Sequence, residues 1–189
     1  MRNDARLIFL RSNRFEEGEA IRGGILVTDE ETKPLEFRCT GPIRPTALQK
    51  MLYGNMLQRH VLVELIGHSL LNSINEKSNV VLVREPDLLH LQVKVGDQQT
   101  VLLLSKHGEF DAKTEGKPGG EESATKLLGS DSGRFEPVVV RTYRGFEEKG
   151  IQLRGMLREV FAHFDLIEPF ERIKVALEHV HKQKLGESK

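Results

Sequence analysis

Gly23-Gly24-Ile25-Leu26-Val27-Thr28-Asp29 is followed by Glu30 to Lys33 and by Pro34-Leu35-Glu36-Phe37-Arg38-Cys39-Thr40-Gly41-Pro42, and the run ends in a helix start at Thr46. Ile25, Leu26 and Val27 suit a largely buried strand, and the polar turn from Asp29 to Pro34 closes a hairpin onto Leu35 to Thr40. In the second strand Leu35, Phe37 and Cys39 alternate with Glu36, Arg38 and Thr40, so one face is core and the other is wet. Pro42 and Pro45 stop the strand because proline lacks the ladder donor. Thr46-Ala47-Leu48-Gln49 then reads as a capping box.

Working outward, Arg6 to Leu10 predicts a first strand and Arg11 to Glu19 a charged connection. After Thr46, Leu48, Leu52, Met56, Val63, Ile66, Leu70 and Ile74 recur at helical spacing and predict a long core helix, with a break near Gly54-Asn55. Val80 to Val83 reads as a buried strand, and Leu89 to Val95 alternates as a strand paired through Gly96-Asp97-Gln98 with Thr100 to Leu104. Residues 107–134 are rich in Gly, Ser, Glu and Lys and read as a flexible insertion before a strand at Val138 to Val140. Apolar stripes over 151–182 predict a C-terminal helical hairpin, leaving 183–189 as a disordered tail. The fold class is a single α+β domain with a mixed, mostly antiparallel sheet of about five to six strands on a long core helix.

With 189 residues and 38% hydrophobic content the chain has material for one well-buried core. Lys plus Arg and Asp plus Glu both number 28, so no global field draws it to nucleic acid or an anionic surface. The single cysteine cannot form an internal disulfide, no early segment reads as a signal peptide, and runs such as Val101 to Leu104 fall far short of the ~20 residues that span a bilayer. These features predict a cytoplasmic protein without a membrane partner.

Each reactive-looking motif fails on spacing or context. Cys39 and Arg44 are separated by four residues where a cysteine-phosphatase loop has five, and Pro42 and Pro45 remove two N–H groups that such a loop aims at phosphate. His60, Glu64 and His68 share one side of a helix, but the histidines are about 12 Å apart at ~1.5 Å per residue, too far to hold one ion together. Pro86-Asp87 with Gln92 and Lys94 echoes a metal-dependent nuclease pattern without its intervening hairpin. Gly116-Lys117-Pro118-Gly119-Gly120 lacks the following Lys-Ser or Lys-Thr of a phosphate loop, and His179 and His181, two apart on a helix, read as surface residues.

The order of elements from Arg6 to about Asp87, three strands, a core helix and a strand emerging beside the first, resembles that of RNase H-like domains. A profilin-like or roadblock-like sheet accommodates the same hairpins. The RNase H resemblance implies two metal ions, magnesium in kind, on carboxylates of the first strand, the core helix and the end of the fourth strand. Glu64 and either Glu85 or Asp87 would fill the latter two places, with Asp29 as a further candidate, whereas Leu7 to Leu10 offers no carboxylate. The centre is incomplete on this reading, and no cofactor is predicted. The expectation is therefore a non-catalytic interaction or scaffold subunit of a larger assembly, with a protein partner or a second copy. Its docking surfaces would be the corner from Arg38 and Cys39 to Arg44 and the C-terminal helical hairpin, and the candidate binding residues are Arg38, Arg44, Arg141 and Arg144. A metal-dependent phosphodiesterase or nuclease, or a nucleic-acid-binding module using those arginines, is the alternative.

Overall fold

The computed structural model describes residues 5–106, 109, 126–130 and 133–186. Its centre is a seven-stranded mixed sheet of order β3-β2-β1-β4-β5-β7-β6. The strands are β1 (Leu7–Phe15), β2 (Ala20–Thr28), β3 (Pro34–Cys39), β4 (Val80–Val83), β5 (Thr100–Lys106), β6 (Lys126–Leu128) and β7 (Val138–Thr142). β1, β2 and β3 form an antiparallel meander, and β4 enters parallel to β1 with Ile8 opposite Val81 and Leu10 opposite Val83. β5 continues parallel to β4, while β7 and β6 close the far edge antiparallel. This is the mixed, mostly antiparallel α+β sheet that the sequence implies, with β4 beside β1. There are seven strands rather than five or six, and the shortest, β6, lies inside the stretch read as an insertion. Within that stretch residues 107–108, 110–125 and 131–132 are outside the described residues, as is the glycine-rich run Gly116 to Gly120.

Both faces of the sheet are covered, which is why β4 reads Val-Val-Leu-Val with all four residues buried. On one face lies a continuous helical rod made of α2 (Leu57–His60), a π-helical segment (Val61–His68) and α3 (Ser69–Ser73). Its Val61, Leu62, Ile66 and Leu70 pack on Ile8, Leu10, Ile25 and Val27. On the other face α5 (Glu147–His163) and α6 (Glu168–Gly186) set Leu157, Phe161, Phe170, Ile173 and Leu177 against Leu7, Phe9, Leu26 and Leu82. Helix α6 runs through 183–186, where the sequence reading begins a tail; 187–189 lie outside the described residues.

The alternation read along β3 does not mark a core face: Leu35 and Phe37 are 43% and 38% exposed while Glu36 is half-buried, because β3 is an edge strand that neither helical layer covers at these residues. The structure differs from the sequence reading in three further places. First, β1 extends through Arg11 to Phe15, since the antiparallel register with β2 runs unbroken from Leu7 to Phe15 and supplies ladder partners to polar residues as readily as to apolar ones. Second, α1 (Ala47–Tyr53) has the expected capping box, Thr46 Oγ1 accepting from the Gln49 N–H at 3.2 Å and Gln49 Oε1 from the Thr46 N–H at 2.8 Å. It is nevertheless not core: Gly54, at φ +52°, bends the chain between α1 and α2, and Leu48, Met51, Leu52 and Met56 are 63%, 78%, 74% and 68% exposed. Third, Leu89 to Val95 is not a strand. Pro86–His90 forms a 3-10 turn and α4 (Leu91–Val95) follows it, with Pro86 in the first helical position. Burial of Leu88, Leu89, Leu91 and Gln92 follows a helical rather than an alternating rhythm, and Val93 is exposed. Gln92 explains why a polar residue is tolerated there: its Nε2 donates to the carbonyls of Gly96 and Gln99, and its Oε1 accepts from the Val101 N–H.

The two helical layers approach most closely over β2. A Cβ on Gly23 would overlap the Ile66 side chain of the rod, and one on Gly24 would lie 2.6 Å from Ile173 Cγ2 of α6. Gly23→Ala and Gly24→Ala should therefore each destabilise by about 1–3 kcal/mol through overpacking. Differential scanning calorimetry should show a fall of several degrees for each. Gly155→Ala on the open side of α5, with nothing within 4 Å of the added carbon, should hold or raise the melting temperature.

Candidate functional site

The four arginines named from the sequence do not form one patch. Arg38 on β3 pairs with Glu36 at 2.8 Å, and Arg44, in the loop before α1, grips Glu16 with contacts of 2.6 and 2.9 Å. Arg141 sits on β7 and is 5% exposed, and Arg144 is exposed in the turn that follows. β2, β1, β4 and β5 stand between β3 and β7, so the two pairs are separated by about 24 Å at ~4.8 Å per strand.

The carboxylates named from the sequence are likewise engaged separately. Glu64 in the π-helical segment pairs with Lys94 of α4 at 2.6 Å, and that hydrogen bond holds its carboxyl below the ordinary glutamate range. Asp29 closes the β2–β3 turn by accepting from the N–H groups of Glu31 and Lys33. Asp87 Oδ2 accepts from Gln58 Nε2 at 2.6 Å, with Arg59 Nε 3.8 Å from its other oxygen. Glu85 Oε1 accepts both the backbone N–H and the hydroxyl of Ser12, at 2.7 and 2.8 Å. Burial pushes the Glu85 carboxyl up, against the lowering effect of these bonds and of nearby Arg11. Among the described residues no three His, Cys, Asp or Glu side chains gather in a way that could hold a metal ion.

What does converge is the carboxyl end of β1 and β4. Alternation along β1 puts Ile8, Leu10, Ser12 and Arg14 on the face of the rod, so the core ends at Leu10 and polar groups begin two residues later. Ser12 reaches across the parallel pair to Glu85, just beyond the end of β4. Arg14 Nη2 donates to Gln58 Oε1 at 3.0 Å, and Gln58 passes the connection on to Asp87. Because Gly54 breaks the helix, Gln58 and Arg59 occupy the first turn of the rod beside this sheet end. A cleft of about 390 Å³ opens there between the β1–β2 turn and the helix break, lined by Arg14, Glu19, Lys50, Gly54 and Gln58. Lys50 is neutralised by Glu19 at 2.8 Å, whereas Arg14 makes no ion pair among the described residues.

A second polar group lies at the same end on the opposite face, and sequence reasoning missed it. Arg22 of β2 is 1% exposed; its Nε donates to His181 Nδ1 of α6 at 3.0 Å and its Nη1 to the Thr40 carbonyl at 3.1 Å. His181, read from sequence as a surface residue, is 5% exposed and stacks on Phe15 with ring centroids 4.2 Å apart. Its Nε2 lies 3.4 Å from Glu16 Oε1, too poorly placed for a hydrogen bond. The available signal was Arg22 itself: an arginine within the buried run Ala20 to Thr28 requires a partner from another element.

Burial and the Arg22 charge hold His181 below its ordinary value of 6.5, only partly offset by Glu16. Its contribution to stability is therefore complete above about pH 6.5 and is lost as pH falls. Glu85, raised above 4.5, has the opposite sign: its contribution is complete below the unfolded value and is lost as pH rises through the folded one. Urea unfolding at about pH 7.5 and about pH 5.5 should show His181→Gln flattening the loss of stability toward acid.

Neither a protein-family model nor a curated protein sequence matches this chain. Solved structures do. Endonuclease V from Streptomyces avermitilis superposes with a TM-score of 0.60 at 13% identity, over 96% of this chain and 83% of that one. The catalytic domain of human endonuclease V gives 0.56 at 12% identity over 98% and 85%, and the Bacillus subtilis enzyme 0.54 at 10% over 94% and 83%. These proteins are endonucleases, and that finding overturns the expectation of a non-catalytic interaction subunit with a protein–protein role. The fold of the chain is the α/β fold of these endonucleases.

Proposed function

We propose that this chain acts on nucleic acid, seating a phosphodiester backbone in the cleft at the carboxyl end of β1. The observation that carries the reading is Arg14, a guanidinium held by the neutral Gln58 and paired with no carboxylate among the described residues, at the mouth of that cleft. A guanidinium offers a phosphate two parallel N–H donors, and one already neutralised by a carboxylate offers far less. The endonuclease V likeness supports the ligand class, since the names of those proteins state an action on nucleic acid. The zero net charge fits binding by a few placed cations rather than by a broad basic face. No described helix is long and apolar enough to cross a membrane, and a cytoplasmic location, with a free Cys39, accords with this role.

Hydrolysis of the bound strand is a second reading, which the endonuclease V likeness supports. It predicts nicked products on a denaturing gel.

Fluorescence anisotropy with labelled single- and double-stranded DNA and RNA tests the binding itself. Affinity should fall steeply with added salt, and Arg14→Ala should weaken it by about tenfold while leaving the melting temperature unchanged. Absence of binding to all of these oligonucleotides at low salt contradicts the proposal.

A further inference from the structure

The resemblance in element order to RNase H-like domains implies a two-metal centre, and among the described residues those at the matching place do not fit one. A magnesium ion asks for near-octahedral oxygen ligands and gives up its waters reluctantly, so it needs open carboxylates from more than one element. Here β1 brings the hydroxyl of Ser12 and the guanidinium of Arg14 to the face of the rod. Glu85 is the one carboxylate facing Ser12, and its Oε1 already accepts two hydrogen bonds. Its Oε2 has no partner but is sealed from solvent, beyond the reach of a hydrated ion. Asp87 is held by Gln58 with Arg59 beside it, and Glu64 is tied to Lys94. The positive charges closest to these groups, Arg11 beside Glu85, Arg59 beside Asp87 and Arg14 beside Gln58, oppose a second cation.

We infer that this chain engages its phosphodiester ligand without a divalent cation, the Ser12–Glu85 hydrogen-bonded pair and the Arg14 guanidinium standing where a metal would be held. The inference rests on the nucleic-acid reading for its ligand and on the donor set alone for the missing metal site. In the cleft Glu19 is matched by Lys50, so Arg14, which makes no ion pair among the described residues, is the cation left for a phosphate.

Two readouts on the full-length chain separate the claims. In the first, manganese is titrated against protein and followed by its electron paramagnetic resonance signal and by thermal unfolding. The expected result is an unchanged free-ion signal and an unchanged melting temperature at millimolar metal. Protein-dependent loss of the signal that disappears in Glu85→Gln overturns the inference, and so does a metal-induced rise in the wild-type melting temperature. In the second, oligonucleotide affinity is compared in chelator and in magnesium. Equality within about twofold supports the inference, and loss of binding in chelator overturns it. Failure to bind in either buffer defeats the nucleic-acid reading, while the manganese titration still decides the metal question by itself.

Discussion

The close approach of two helical layers over Gly23 and Gly24 is the constraint on which the remaining geometry depends. With no side chain at either position, Ile66 of the rod and Ile173 of α6 come down onto opposite faces of the same strand. The sheet is thereby buried on both sides at its centre, and β1 and β4 become the apolar middle of a three-layer stack. Such a strand carries a covered polar group only where a partner meets it, as His181 meets Arg22 on β2. On the rod face of β1 the apolar side chains end at Leu10, and Ser12, opposite Gly23 in the ladder, is the first polar one, with Arg14 exposed beyond it. The candidate site is thus where burial stops, and its position follows from packing before any chemistry is considered.

Two polar arrangements exploit that boundary on the two faces. Toward the rod, the Ser12–Glu85 pair and the Arg14–Gln58–Asp87 chain tie β1, the rod and the turn after β4 together. Toward α6, Arg22 and His181 anchor the C-terminal helix to β2, with Glu16 and Arg44 adding charge at the rim. Breaking a buried pair by removing one partner is costly because the other group stays desolvated. The second arrangement therefore behaves as a fastening for α6. In the first, Arg14 makes no ion pair among the described residues and lines a cleft, which is why the proposed binding is placed there.

Much of the architecture was legible because period and punctuation agreed. Ile25 to Val27, the Asp29 to Pro34 turn and the Thr46–Gln49 capping box all appear as read, and β4 emerges beside β1 as the element order implied. Leu89 to Val95 misled because its alternation is generated by a helix whose Gln92 is buried and bonded to backbone, which hydrophobicity alone does not register. Leu48, Leu52 and Met56 misled for a different reason: a helical stripe identifies a face but not what covers it, and Gly54 turns that face away from the sheet. The site was hidden because its parts are ordinary residues. Ser12, Arg14 and Gln58 form no motif, and they meet only through pairing between strands and a helix break far along the chain. The carboxylates that did attract attention, Glu64, Glu85 and Asp87, each have a different partner.

The chain thus joins the fold of the endonuclease V structures to a sheet end that carries a hydroxyl, an enclosed carboxyl and a guanidinium group. Hydrogen–deuterium exchange with and without an oligonucleotide, in chelating buffer, tests this account most directly. Slowed exchange confined to the turn from Arg14 to Glu19 and the segment from Lys50 to Gln58 is the predicted result. Protection confined to α5 and α6, or to the β7 region around Arg141 and Arg144, would contradict it.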